Sequence, residues 1–204
     1  MYRPPAFRED RPALLHAAIR AHPLATLVTH GPSGLTANLV PFTLVEGAPA
    51  LLRAHLAKAN PQLADLRAGG EALVIFQGPQ AYVTPAWYPS KQEHGKVVPT
   101  WNYILVQAHG RSQVIDDTAW LRAQIDALTA QQEAGRAEPW AVSDAPPEFV
   151  AAQLKGISGV EIAIDRIEGK WKASQNQPAA NREGVLAGLR ALDPASPMAA
   201  AMER

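Results

Sequence analysis

The sequence predicts a mainly β fold of the α+β class, a small antiparallel barrel with helices at its periphery. Three observations carry this prediction. Six or seven short apolar runs recur at near-regular spacing, bounded by Gly, Pro and Asn turns. Gly31-Pro32-Ser33-Gly34 joins the first two runs as a hairpin turn. The helical stretches are few and scattered, so they lack the strand–helix alternation of a doubly wound parallel sheet. Nor is there a Gly-rich phosphate loop of either common type.

The elements follow in order. Asp10 caps a helix over 11–21, with Pro12 in the first turn and Leu14, Leu15, Ala18 and Ile19 on one face. Pro23 ends it. Strands follow at 24–30, 35–45 and 50–55, the last two separated by the turn Glu46-Gly47-Ala48-Pro49. Asn60-Pro61 is a compact helix start, an Asn cap followed by Pro, and that helix ends at Gly69-Gly70. Strands come next at 72–76 and 81–84, then a longer one at 103–114, interrupted near Gly110. Asp117 caps a helix over 118–131, with Trp120, Leu121, Ile125 and Leu128 at helical spacing. Residues 135–145 are irregular, 146–154 a short helix, and 160–167 a strand that alternates Val160, Ile162 and Ile164 with polar partners. A helix at 181–192 precedes an Ala- and Pro-rich tail expected to fray. No repeat or linker divides the chain, so one domain is expected over 1–204.

Composition narrows the function classes. Lys and Arg balance Asp and Glu at 19 each in 204 residues, which argues against a dedicated nucleic-acid surface. There is no Cys, so disulfides, thiolate metal sites and Cys nucleophiles are excluded. The first residues hold no apolar signal core, and no apolar run approaches the ~18 residues that span a bilayer. A cytoplasmic protein with no membrane partner is the expectation. The six His show no metal-ligand spacing, and Ser33 lacks the Gly-x-Ser-x-Gly nucleophile pattern.

Chemistry concentrates in four places. Between Gln77 and Tyr103 fall two Trp, three Tyr and four Pro, in a chain only 6% aromatic. Proline-framed aromatics suit a planar ligand or a partner surface, because Pro lowers the entropy of a loop before it binds. His55-Leu56-Ala57-Lys58-Ala59-Asn60 lies where a strand gives way to a capped helix. Cationic groups beside free helix N–H groups make a phosphate pocket there; a solvent-facing Lys and an ordinary cap is the other reading. Asn38 sits inside a strand, where Asn is disfavoured, so it reads a ligand edge or marks a bulge. Finally, Gly169-Lys170-Trp171-Lys172-Ala173-Ser174-Gln175-Asn176-Gln177-Pro178 reads as a loop joining a strand to the last helix. Its amides and lysines suit an anion or a polar ring edge; a solvated loop would look similar, apart from Trp171.

These segments, in this order, resemble the PaiB family of FMN-binding negative transcriptional regulators. The motifs are Met1-Tyr2-Arg3-Pro4 with Phe7, Asn38-Leu39-Val40-Pro41-Phe42, His55 through Pro61 and Phe76 through Tyr82. They continue with Pro85-Ala86-Trp87-Tyr88, Lys91, Val98 through Tyr103, and Lys170 through Asn176. Ala173 departs from the Leu usual in the last motif. The resemblance implies a split β-barrel like that of pyridoxamine-phosphate oxidases, working as a homodimer with FMN in a groove between subunits. It further implies that Lys58 and Asn60 hold the FMN phosphate with His55 nearby, and that Asn38 and Val40 border the ring or ribityl chain. Trp101, Asn102, Lys172, Gln175 and Asn176 would approach from the partner subunit or the groove wall, with Trp87 and Tyr88 packed on the neighbouring subunit.

Three functions follow. The first is an FMN-binding regulator. Its effect on DNA would be indirect, because the helix over 118–131 has no basic face and zero net charge gives little counterion-release drive. The second is an FMN-dependent oxidoreductase acting on a small or planar substrate. The third is a groove that takes another ligand, such as haem with a His axial ligand.

Overall fold

The computed structural model describes residues 1–32 and 34–203. Its strands are β1 (Arg8–Glu9), β2 (Leu24–Gly31), β3 (Gly34–Pro41), β4 (Thr43–Val45), β5 (Leu51–Ala57), β6 (Glu71–Val83), β7 (Thr100–Ile115) and β8 (Ile157–Lys172). Its helices are α1 (Pro12–Ala21), α2 (Gln62–Arg67), α3 (Ser90–His94), α4 (Thr118–Glu133), α5 (Pro147–Lys155), α6 (Ala179–Leu192) and α7 (Pro197–Met202). One sheet carries the strand order β3-β2-β6-β7-β8-β5-β4, with β1 added on β8. The pairs β1–β8, β2–β3, β2–β6, β4–β5 and β5–β8 are antiparallel. This is the mainly antiparallel sheet with peripheral helices that the sequence predicts.

The chain forms two compact units. One comprises Met1–Leu15, Gln77–Val106 and Glu168–Arg204; the other comprises His16–Phe76 and Gln107–Ile167. In the second unit, alternate residues of β2, β5 and β8 turn inward and place Leu27, Leu52, Ala54, Val160 and Ile162 in the core. α4 starts at Asp117, whose carboxylate accepts from Trp120 N at 2.7 Å. It is docked by Gln124, which donates to Arg53 O at 3.1 Å and accepts from Thr43 Oγ1 at 3.1 Å. Leu121 on α4 packs with Val150 and Leu154 of α5. In the first unit, Val83, Tyr88, Val185, Leu189, Met198 and Met202 form one buried cluster.

Several elements differ from the sequence reading, each for a local reason. The strand expected over 35–45 is two. At Phe42 the chain leaves β2, its backbone N–H bonds Pro23 O at 2.9 Å, and its ring meets Phe76 edge-on at 6.0 Å. β4 then pairs with β5 instead. The strands expected at 72–76 and 81–84 are one. Gly78, between the two expected strands, lets β6 and β7 close up, since a Cβ there would lie 2.9 Å from Ile104 Cβ. Gly110 acts alike: a Cβ would lie 1.9 Å from Ala163 O, and β7 runs through without interruption. β8 continues to Lys172, so the first residues of the expected loop at 169–178 are strand, paired to β1 at Glu9↔Gly169.

The ends differ as well. The tail forms α7, capped by Ser196 Oγ, which accepts from Ala199 N, and holds Met198 and Met202 in the core. Glu9 reaches the backbone before α1, where its Oε1 accepts from Arg11 N at 2.9 Å. Ser33 of the expected hairpin turn lies outside the described residues, while Gly31 pairs with Gly34 around it. The aromatic segment divides. Tyr88 is buried in its own unit, and Trp87 lies on α6, where a Cβ at Gly188 would come within 2.3 Å of its ring. Tyr88 therefore packs within the chain, rather than on a neighbour as expected, while Trp87 is partly buried against α6.

The Trp87 contact depends on missing side chains. At Gly184 a Cβ would lie 2.0 Å from the backbone oxygen of Trp87, which cannot yield as a side chain can. Alanine ordinarily strengthens a helix, yet Gly184→Ala is expected to destabilise by about 1–3 kcal/mol through overpacking. Gly70→Ala, with open space around it, is the control. Urea unfolding of both variants checks this; a Gly184→Ala protein as stable as the control contradicts the packing.

Candidate functional site

The residues singled out from the sequence fall into two groups. Asn38, Val40, His55, Lys58 and Asn60 belong to the second unit; Trp101, Asn102, Lys172, Gln175 and Asn176 belong to the first.

In the second unit, β5 brings His55 opposite Gly159 of β8. The imidazole Nδ1 is buried and has no hydrogen-bond partner among the described residues. Burial lowers the His55 pKa, so the ring is neutral at pH 7. An unsatisfied buried nitrogen costs ~1–3 kcal/mol, which a ligand group can recover. Past β5 the chain turns: Lys58 N donates to Gly156 O and Asn60 N to Ala57 O, each at 2.8 Å. Asn60 Oδ1 accepts from Gln62 N at 3.0 Å and so opens α2, as its position before Pro61 predicts.

Lys58 lines a cavity of about 560 Å³ whose floor is Leu121, Val150 and Leu154. Asp116, Arg122 and Lys155 complete its polar rim. Ser158 Oγ donates to Asp116 at 2.6 Å and Arg67 approaches it at 3.3 Å, and these bonds hold the carboxyl below its usual range. Asp126 pairs with Arg122 at 2.8 Å. Lys58 and Lys155 form no ion pair within 4 Å among the described residues, and the charge of Lys58 acts on Asp116 across the same cavity.

Asn38 and Val40 lie on β3. Pairing runs unbroken through Asn38↔Leu27, so Asn38 marks no bulge. Its side-chain amide donates to Gln62 Oε1 at 2.9 Å. Gln62 is only 1% exposed, and its Nε2 is placed to donate to Leu27 O at 3.1 Å, Thr29 Oγ1 at 3.2 Å and Thr36 O at 3.3 Å. Asn38, Gln62 and Asn60 are thus joined by hydrogen bonds. Sequence reasoning missed Gln62, because a Gln in the first turn of a short helix looks like an ordinary solvated residue.

In the first unit, Trp101 is 53% exposed and meets Tyr82 edge-on at 5.8 Å. Asn102, its neighbour on β7, points the other way and is buried; its Nδ2 donates to Ser174 Oγ at 2.8 Å. Ser174 has φ 60°, the left-handed region that costs a non-glycine residue roughly 1–2 kcal/mol. Lys172, at the end of β8, donates to Thr100 Oγ1 and to Trp101 O. Burial first, then the charge of Lys170, lower its pKa. Lys170 itself sits over the rings of Tyr2 at 5.4 Å and Tyr103 at 5.3 Å. Gln175 spends its side chain locally, accepting from Ala173 N at 2.7 Å and donating to Trp171 O. Asn176 joins Lys172, Thr100, Asn102 and Ser174 around a second cavity of about 240 Å³.

Two outcomes test these networks. Gln62→Leu leaves the Asn38 amide and the carbonyls of Leu27 and Thr36 without their partner. Unfolding stability is expected to fall by about 2–3 kcal/mol in urea, and a change under 0.5 kcal/mol contradicts the network. The second is a pH effect. Burial lowers the pKa of both His55 and His22, so on acidification the unfolded chain takes up protons before the folded one. This stability is complete above the ordinary imidazole pKa of about 6.5 and is lost as pH falls below it. Stability therefore drops between pH 7 and pH 5, and His55→Gln removes part of that slope; an unchanged slope contradicts the burial of a neutral ring.

Comparison with known proteins places this architecture. A family model described as "Putative FMN-binding domain" matches residues 1–166. An uncharacterised protein of Emericella nidulans is 36% identical over 231 residues, covering 94% of this chain and 91% of that protein. The protease synthase and sporulation protein PAI 2 of Bacillus subtilis is 31% identical over 136 residues, covering 67% of this chain and 63% of its own length. Among solved structures, the FAD and haem binding protein of Mycobacterium smegmatis superposes with a TM-score of 0.62 at 23% identity, covering 89% of this chain and 80% of that one. The last is a likeness of fold, the split β-barrel of flavin proteins. The chain belongs to the FMN-binding domain family, as its motifs predict, and its cofactor is FMN.

Proposed function

We propose that the two units act as one FMN-binding domain, a cytoplasmic regulatory protein of the PaiB type, with the flavin held in a groove completed by a second copy of the chain. The observation that carries the residue assignment is the turn after β5. Together with the end of β5 it offers, among the described residues, the buried His55 Nδ1 without a hydrogen-bond partner, the Lys58 ammonium with no ion pair within 4 Å and the amide NH2 of Asn60. That donor set fits a phosphate and a polar chain. Lys58 and Asn60 hold the phosphate, with His55 beside them. Asn38 and Val40 border the ring system or ribityl chain. Trp101, Asn102, Lys172, Gln175 and Asn176 face the flavin from the second copy, Trp101 with its exposed ring and Asn102 and Gln175 through the backbone they fix. FMN supplies redox capacity where the family uses it; these side chains bind and orient it.

The second copy has an exposed apolar face to meet. β3 ends the sheet order and shows Leu35 at 78% and Leu39 at 67% exposure, beside exposed Leu24 on β2. Unpaired apolar edges of this kind are covered in stable proteins. The regulatory effect on DNA is indirect. α4 carries Arg122 already paired with Asp126, and zero net charge supplies little counterion release.

An FMN-dependent oxidoreductase is the second reading, favoured by one observation. The Lys172 cavity is lined by polar and apolar groups suited to a further small molecule, held beside the flavin that Lys172 and Asn176 also approach.

Lys58→Ala is expected to weaken FMN binding at least about tenfold through loss of a charge-assisted phosphate contact. Titration of stripped protein with FMN, followed by flavin fluorescence, measures it. Unchanged affinity overturns the phosphate assignment. Reduction of the bound flavin by a nicotinamide dinucleotide favours the oxidoreductase; a flavin inert to it favours the regulator.

A further inference from the structure

The cavity at the end of β8 is lined by residues of two kinds. Lys172, Thr100, Asn102, Ser174, Asn176 and Gln177 are the polar ones, its polar wall. Phe7, Tyr88 and Val98 are the apolar ones, its apolar wall, offering two rings and an aliphatic face. All these residues belong to the first unit.

The polar wall is built around one cation. An ammonium has three hydrogens to donate. Thr100 Oγ1 and Trp101 O take two of those on Lys172, and both acceptors are neutral. No carboxylate pairs with Lys172 among the described residues, and no carboxylate lines the cavity. A partly buried charge with only neutral partners is poorly compensated. Burial first, and then the like charge of Lys170, hold the Lys172 pKa down. An anion in the cavity would relieve both effects.

The wall is also rigid. Asn102 and Ser174 are buried and bonded to each other, Nδ2 to Oγ at 2.8 Å and Oγ to Oδ1 at 3.2 Å. Ser174 keeps φ 60° within this arrangement, and a strained backbone held by buried bonds is common at binding sites. Size limits the occupant. About 240 Å³ is below the ~300–1,000 Å³ of drug-sized pockets, so the cavity takes one ring or a short chain and excludes a whole flavin. The apolar wall disfavours a bare inorganic anion and favours an acid with a hydrocarbon body.

We propose that this cavity binds a small organic carboxylate, its apolar body on Phe7, Tyr88 and Val98 and its carboxylate on Lys172, with the Asn176 amide within the same wall. The ligand class follows from the cavity alone; its use as the second reactant beside the flavin rests on the oxidoreductase reading above.

Calorimetric titration of the purified protein with benzoate, benzamide and inorganic phosphate tests the assignment. Benzoate is expected to bind at least about tenfold more tightly than its neutral analogue, the effect of one charge-assisted contact. Lys172→Gln should abolish that preference. Val98→Trp, at a position 72% exposed and so tolerant of change, should fill the cavity and remove benzoate binding without touching the lysine. Equal affinity for benzamide, stronger binding of phosphate than of benzoate, or full benzoate binding by Val98→Trp overturns the proposal. Flavin content is read separately from its visible absorption. A protein that binds benzoate as expected but takes up no FMN contradicts the flavin reading and leaves the cavity assignment standing.

Discussion

The amide of Gln62, beside the bond from Thr29 Oγ1 to Asp65 Oδ2 at 3.0 Å, ties α2 to the hairpin of β2 and β3. From the first turn of α2 it reaches the carbonyls of Leu27 and Thr36 on two strands of a hairpin, the hydroxyl of Thr29 and the amide of Asn38. β2 pairs with β6 as well as β3, while β3 ends the sheet order with one strand neighbour. Gln62 braces the register that backbone pairing sets, because a side-chain amide cut off from water tolerates few alternatives to its native partners. Asn60 is set by the same helix start, and the turn that carries Lys58 immediately precedes it. The proposed phosphate end of the flavin site thus depends on a residue that would touch no ligand.

The other group of residues follows the same design. Asn102 and Ser174 satisfy each other in the interior, and Met202 of the terminal helix closes over them, with Asn102 Nδ2 at 3.5 Å from its sulfur. Lys172 is braced by two neutral acceptors and keeps its charge uncompensated. In both groups, fully bonded polar residues support a neighbour that is left short of partners. Among the described residues His55 Nδ1 has no hydrogen-bond partner, and Lys172 pairs with no carboxylate. Such unsatisfied groups are costly in a fold, and binding is the ordinary way in which the cost is recovered.

Fold class and most element positions were legible because hydrophobic period and caps are local signals. Asp117 opens α4 and Asn60 opens α2 as their side chains predict. The breaks were misread where glycine serves tertiary contact instead of turning. Gly110 looks like an interruption in one dimension, but it and Gly78 are points where neighbouring strands approach too closely for a Cβ. α7 was invisible because an Ala-rich tail earns its helix from Met198 and Met202 packing against Val185 and Leu189, a contact no local pattern encodes. Motifs brought the candidate residues into view, and geometry then sorted them by what each side chain is free to do. Gln175 reads as a binder in a polar motif, yet its amide is spent on Ala173 and Trp171. Gln62 reads as surface and is a hub.

The central claim is that FMN is held in a groove that one chain cannot complete. Sedimentation of the FMN-saturated protein, followed at the visible absorption of the flavin, tests it directly. The account predicts that the flavin sediments with a species of twice the chain mass, at one FMN per chain. Flavin that travels with a single chain, or that does not travel with the protein at all, would contradict it.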